Sequence, residues 1–268
     1  MNFKEKAKAI RRSTIETIGS LGVGHIGGSL SIVDVLVVLY YKHMNIDPAN
    51  PKMPGRDRLI ISKGHSGPAL YAVLADKGYF DKSWLLTLNR PHTSLPSHCD
   101  MNLTPGVDMT TGSLGQGFSC AVGVAKASKI VKDHAIIYTI IGDGESQEGQ
   151  IWEAGMFAGN AKLNNLIAFT DNNHAQIDGF TADINCVDPL SKKWKAFGWN
   201  VIEISDGNDP DQIDTAIIKA KTSRSKPTMI ILNTIKGKGV SFIEKAGYAN
   251  HNMPLSQDQV AMALKELE

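Results

Sequence analysis

Nothing in this sequence is in marked excess, and several things are scarce. Basic and acidic residues nearly cancel, 28 against 27, for a net charge of +1. No stripe or block of one sign occurs, which excludes the basic face that nucleic acid or an anionic membrane surface requires. Cysteine is limited to Cys99, Cys120 and Cys186, an odd and widely spaced set without a CxxC pair. That argues against a disulfide framework or a zinc site and fits a reducing cytoplasm. No apolar run approaches the length of a membrane span. The opening MNFKEKAKAIRRSTIETIGSLG lacks the apolar core and small-residue cleavage site of a secretory leader. The remaining composition, 42% apolar and 21% charged over 268 residues, is ordinary for a globular protein. It is enough to build a large core in one α/β domain spanning residues 1–268.

Residues 3–20 read as an amphipathic helix with Phe3, Ala7, Ile10, Thr14 and Ile18 on one face. Ser31 and Asp34 read as a capping box opening the helix IVDVLVVLYY. RLIIS (58–62) is a short strand, followed by a helix that ends at Gly78. Residues 90–113 are rich in Pro, Gly, Ser, Thr and His without periodicity, and so long a connection in a domain is usually functional. GQGFSCAVGVAKASKIV (115–131) is a helix with small residues on one side, suited to close packing. NVIEI (200–204), DQIDTAIIKAK (211–221) and TMIILNTI (228–235) read as strand, helix and strand, and 256–268 as a final helix boxed by Ser256 and Gln259. Strands alternating with helices predict an α/β fold with a parallel sheet covered on both faces.

The most informative stretch is Gly142-Asp143-Gly144, read with Asp171-Asn172-Asn173. Each follows an apolar run that reads as a buried parallel strand, AIIYTII (135–141) and LIAFT (166–170), with a helical pattern between them. Both turns therefore fall at the same sheet edge, where α/β folds place ligands. Asp143 offers a carboxylate, and Asn173, 30 residues on, offers an amide oxygen. Two hard oxygen donors beside glycine-exposed backbone amides suit Mg²⁺ holding a diphosphate. The order GDG, this gap, then NN resembles the thiamine diphosphate-binding motif.

Four of the eight histidines sit in glycine- or proline-flanked turns: His25 in GVGHIGGS, His65 in SKGHSGPALY, His98 in LPSHCD and His251 in ANHNMPL. With them the chain resembles the transketolase family. GHIGGSLS, SKGHSGPALYAVL, TTGSLGQG, GDG-ESQEG, DNN and KGKG followed by His251 run in that family's order along essentially the whole chain.

That resemblance implies a thiamine diphosphate-binding fold and a set of roles. Asp143, the Asn173 side chain and the Ala175 carbonyl would ligate Mg²⁺, with Ca²⁺ or Mn²⁺ as acceptable substitutes. Gly142, Gly144 and Glu145 would border the diphosphate, approached also by His65 and His251, with Lys63 and Lys236 where some family members carry lysines. Gly112, Ser113 and Leu114 would line the aminopyrimidine end. His25 and His98 would contact the substrate, and Glu148 would lie at a subunit boundary coupling two active sites. Independently of family, neutral histidines suit donation to a developing alkoxide and acceptance from a hydroxyl near pH 7.

The family's activating glutamate belongs to a second, pyrimidine-binding domain that no segment here matches. The resemblance thus implies the amino-terminal subunit of a split transketolase, which transfers a two-carbon ketol unit between sugar phosphates. A carboxy-terminal subunit would complete it, with two copies of each chain. The complete start and capped final helix fit that expectation, and an apolar cleft is expected where the partner would cover the cofactor. A 1-deoxyxylulose-5-phosphate synthase-like or 2-oxo acid dehydrogenase-like subunit, or a non-catalytic scaffold subunit, stands as the alternative. No nucleic acid, and no membrane, is expected among the partners.

Overall fold

The computed structural model describes all 268 residues. Five parallel strands build the central sheet: β2 (Arg58–Ile61), β3 (Ile137–Gly142), β4 (Leu166–Asn172), β5 (Asn200–Ile204) and β6 (Thr228–Asn233), in the spatial order β2-β3-β4-β6-β5. A two-residue antiparallel pair, β1 (Val23–Gly24) with β7 (Met253–Pro254), lies apart from it. The helices are α1 (Phe3–Leu21), α2 (Ile26–Ser31), α3 (Val33–Val38), α4 (Gly67–Lys77), α5 (Gln116–Val131), α6 (Gly149–Asn160), α7 (Thr181–Ile184), α8 (Leu190–Ala196), α9 (Pro210–Lys221), α10 (Ser241–Lys245) and α11 (Gln257–Glu266).

The continuous apolar runs of β3 and β4 are explained by burial on both faces. Tyr138, Ile140, Ile167 and Phe169 belong to one core, under α1, α3, α4 and α9. Ile137, Ile141, Leu166 and Ala168 belong to the other, under α5, α6 and α8. The period-2 alternation of a strand thus feeds two cores at once. Each fully buried large apolar side chain contributes about 1.5–3 kcal/mol. The small-residue side of α5 lies flush on the sheet: a Cβ on Gly117 would come within 2.7 Å of Ser62 Cα, and Ala121, Ala125 and Ser128 are buried beside it.

One sequence expectation fails. Ser31 and Asp34 form no capping box, because the helix begins earlier, at Ile26, and breaks at Ile32 between α2 and α3. Both side chains are buried and reach other elements. Ser31 Oγ donates to Asp171 at 2.7 Å, and Asp34 pairs with Arg11. Arg11 Nε also donates to the Lys238 carbonyl at 3.0 Å, and Asn208 bridges Asp34 to the Ile235 amide. This buried network fixes the turn that carries Lys236. The capping box at Ser256 and Gln259 is present, and residues 90–113 form an irregular connection containing neither helix nor strand.

Candidate functional site

Every strand that carries a predicted motif ends at the same sheet edge. Ser62 and Lys63 follow β2, Asp143 follows β3, Asn173 follows β4, and Thr234 to Lys236 follow β6. The irregular connection brings His98 to this edge, and the chain's two ends bring His25 and His251. Gly27 makes the last approach possible: a Cβ there would sit 1.9 Å from Asn250 Oδ1, and its carbonyl accepts from the Gly237 amide at 3.0 Å.

The result is a cleft of about 280 Å³. It is lined by His25, Lys63, His65, His98, Gly112, Leu114, Gly142, Asp143, Gly144, Glu145, Glu148, Asn173, Ala175, Lys236 and His251. Ser113, predicted with them, is exposed and is not among the lining residues, and its carbonyl accepts from the Gln116 amide at the start of α5. The cleft is also not the apolar one expected. Only three of its 20 lining residues are apolar, Leu114, Ala175 and Ile177, because the turns at this sheet edge carry mostly glycine and polar residues. Exposed apolar side chains stand on the rim instead, where Phe180 meets Tyr248 edge to face at 5.5 Å. Sequence reasoning assigned no role to Gly28 and Gln147, although both lie inside quoted motifs, and missed Gln176, Ile177 and Asp178, which follow the last of them without any pattern of their own.

Two predicted contacts are engaged elsewhere. The Glu145 carboxylate is buried and accepts from Ser62 Oγ, the Gly115 amide at 2.8 Å and the Gly142 amide at 3.0 Å. It therefore bolts three turns together instead of presenting oxygens to the cleft. The Lys63 ammonium is paired with Asp171 and donates to the Gly28 carbonyl at 3.1 Å. Lys236 donates to the Ala175 carbonyl at 3.0 Å and lies 3.2 Å from His251 Nδ1.

Asp143 is the anomaly of the site. Its Oδ1 accepts from the Gly144 amide at 2.7 Å, but its buried Oδ2 has no hydrogen-bond partner. Burial, then the charge of Asp171, pushes the carboxyl up to about 7. A buried, half-satisfied carboxylate is costly, and a hard divalent cation at Oδ2 would relieve that cost. Asn173 and Ala175 line the same cleft, so the candidate donors are one carboxylate, one side-chain amide and one backbone carbonyl, the last of which accepts from Lys236. Nowhere does a cluster of three or more His, Cys, Asp or Glu side chains have metal-holding geometry. With so few protein ligands, the remaining oxygens fit a diphosphate.

The four histidines form one group. His25 lies 5.3 Å from His65, 5.4 Å from His98 and 5.4 Å from His251 between ring centroids, and His65 lies 4.9 Å from His251. All are pushed down by burial first. His25 falls to about 4, helped by His98, Lys236 and Lys63, and His251 to about 3, helped by Lys236. The rings are therefore neutral at pH 7, each with one donor and one acceptor nitrogen. The unfolded chain protonates its histidines near 6.5, well above these values, so between about 6.5 and about 4 it binds more protons than the folded chain. Stability is expected to fall as pH drops through that window. Melting curves from pH 7 to 4 check this: a His25→Ala/His251→Ala variant should lose stability less steeply, and equal slopes would contradict the assignment.

The sequence matches the family described as transketolase, thiamine diphosphate binding domain, over residues 3–267. It is 59% identical over its whole length to the 6-deoxy-6-sulfo-D-fructose transketolase subunit SqwG of Clostridium sp. (strain MSTE9), covering 97% of that protein. It is 42% identical over 99% of its length to an apulose-4-phosphate transketolase subunit of Actinobacillus succinogenes, covering 96%. The solved transketolase from Leishmania mexicana superposes on the entire chain with a TM-score of 0.94 at 30% identity, and that of Campylobacter jejuni with 0.92 at 32%. The chain spans 41% and 43% of those two proteins.

Proposed function

Because this chain belongs to the transketolase family, whose thiamine diphosphate-binding domain it is, we propose that it acts as the amino-terminal subunit of a two-chain transketolase. The observation that carries the reading is the orphaned Asp143 oxygen beside Asn173 and Ala175, at the mouth of a cleft holding four neutral histidines. Asp143, the Asn173 amide oxygen and the Ala175 carbonyl hold Mg²⁺, and the Gly144 backbone borders the diphosphate. When bound, thiamine diphosphate supplies the nucleophile and electron sink of ketol transfer. Gly112 and Leu114 wall the far end of the cleft. Lys236 turns from the Ala175 carbonyl toward diphosphate oxygens, and Lys63 serves behind the cleft wall as the counter-charge of Asp171.

His25 and His98 hydrogen-bond the substrate's oxygens, and His65 and His251 approach the diphosphate and the reacting centre. Being neutral, they can give or take a proton as charge develops. Glu148, exposed at the cleft edge with no side-chain hydrogen bond at the start of α6, faces the subunit boundary. A separate carboxy-terminal subunit supplies the pyrimidine-activating glutamate, with two copies of each chain arranged about a two-fold axis. The donor is a ketose with an anionic end. The 59% relative is named for a sulfonated fructose and the 42% relative for a phosphorylated apulose, so an assay should offer both anions. No helix is long and apolar enough to cross a membrane, and three unpaired thiols suit the cytoplasm.

The test is a split between catalysis and cofactor binding in the reconstituted enzyme. His25→Ala and His98→Ala are each expected to lower kcat/KM for the ketose by about 10–100-fold, the loss of a substrate hydrogen bond, with thiamine diphosphate affinity unchanged. Full kcat/KM in both variants would reduce these histidines to ordinary turn residues and remove the reading's catalytic content.

A further inference from the structure

Asp171, the last core-facing residue before the cleft, is fully buried at the end of β4 and belongs to no predicted ligand set. Four side chains from four separate motifs donate to it. Ser31 Oγ at 2.7 Å, Asn173 Nδ2 at 2.9 Å and Lys63 Nζ reach Oδ2, and Thr234 Oγ1 reaches Oδ1. The Asn173 contact has a directional consequence. An ionised carboxylate can only accept hydrogen bonds, so the amide must turn its NH₂ group toward Asp171. Its oxygen then points the other way, where it accepts from the Ala175 amide at 3.2 Å, and Asn173, Ala175 and Asp143 all line the cleft.

We propose that Asp171 is a positioning residue for the cation site: by accepting from Asn173 Nδ2 it locks the amide with its oxygen, and not its NH₂, facing the metal. The proposal rests on reading the cleft as a Mg²⁺–thiamine diphosphate site. Without that anchor the cation must itself hold the amide oxygen against rotation, and the proposed donor set contains only one carboxylate, Asp143, to compensate. Outer contacts of this kind typically change metal affinity by about 10–100-fold.

The reconstituted enzyme is titrated calorimetrically with thiamine diphosphate at a series of Mg²⁺ concentrations, with the melting temperature of each variant measured alongside. Asp171→Asn is expected to weaken Mg²⁺-dependent binding by about 10–100-fold. The exchange variant Asp171→Asn/Asn173→Asp conserves net charge and offers the cation an oxygen in either rotamer, so it should recover to within about fivefold of wild type. Ser31→Ala/Thr234→Val removes two other donors to Asp171 and should lower the melting temperature while leaving the affinity within about twofold. Wild-type affinity in Asp171→Asn overturns the proposal alone. So does a folded exchange variant that recovers nothing, or a Ser31/Thr234 variant that loses as much as Asp171→Asn, since Asp171 would then be a general strut. If Asp171→Asn does not fold, Mg²⁺-dependent binding by the exchange variant supports the proposal. A wild-type enzyme whose cofactor binding ignores Mg²⁺ would bring down the cation reading itself and this inference with it.

Discussion

Replacing Asp143 with alanine is expected to abolish Mg²⁺-dependent binding of thiamine diphosphate, and replacing it with asparagine is expected to make the cofactor-free chain more stable. Both outcomes follow from one oxygen. Oδ2 is buried without a partner, and the carboxyl is pushed up to about 7 by burial and by Asp171. Alanine removes the only carboxylate in a donor set otherwise made of an amide and a carbonyl, so affinity should fall by more than about a hundredfold. Asparagine keeps the shape and the bond to the Gly144 amide but removes the buried charge. Burying an unpaired charge costs more than burying an unpaired neutral amide, and a difference of about 1–3 kcal/mol corresponds to a melting temperature higher by about 2–6 °C at pH 8. Calorimetric titration and thermal unfolding measure the two effects. Wild-type affinity in Asp143→Ala, or a lower melting temperature in Asp143→Asn, would show that the carboxylate is ordinary structure and not a site held in readiness.

The second large effect concerns the chain by itself. Purified alone, it is expected to show no ketol transfer, and mixing with its carboxy-terminal partner is expected to restore the activity. Its own residues serve the diphosphate end of the cofactor. At the other end, the cleft wall offers Gly112 and Leu114; the Glu145 carboxylate is bound by Ser62, Gly115 and Gly142, and the unengaged carboxylate nearby, Glu148, stands exposed at the cleft edge and is assigned here to the subunit boundary. Without a positioned acid–base group for the aminopyrimidine, the rate should lie at least about 10²–10⁴-fold below that of the assembled enzyme. A coupled assay with xylulose-5-phosphate and ribose-5-phosphate, repeated with a sulfonated ketose, reads the rate. Size-exclusion chromatography with light scattering reads the two-plus-two assembly. Robust turnover by the single chain would end the split-enzyme proposal.

Much of this architecture was legible because strands buried on both faces leave continuous apolar runs. AIIYTII and LIAFT announced β3 and β4, and the polar residues that follow each run announced the cleft edge. The histidines were legible from their glycine and proline surroundings, which mark turns. What escaped was tertiary. Ser31 and Asp34 have capping-box spacing, but spacing says nothing of a partner 140 residues away such as Asp171. Lys63 and Glu145 sit inside motifs and invite a ligand role, yet their charges are matched by residues from other strands. Gln147, Gln176 and Asp178 lie in the cleft because of how two loops fold back, and no periodicity records that.

The pairing of Val23 with Pro254 and Gly24 with Met253, small as it is, joins segments some 230 residues apart. Closing so long a stretch of chain is entropically expensive and is rewarded only when both segments are present. On a ribosome, the sheet and both cores can be largely assembled before His251 has left the exit tunnel, while His25 waits for a neighbour. Completion of the cleft therefore waits for the segment 251–254, and a product terminated before it would carry the other cleft residues without His251.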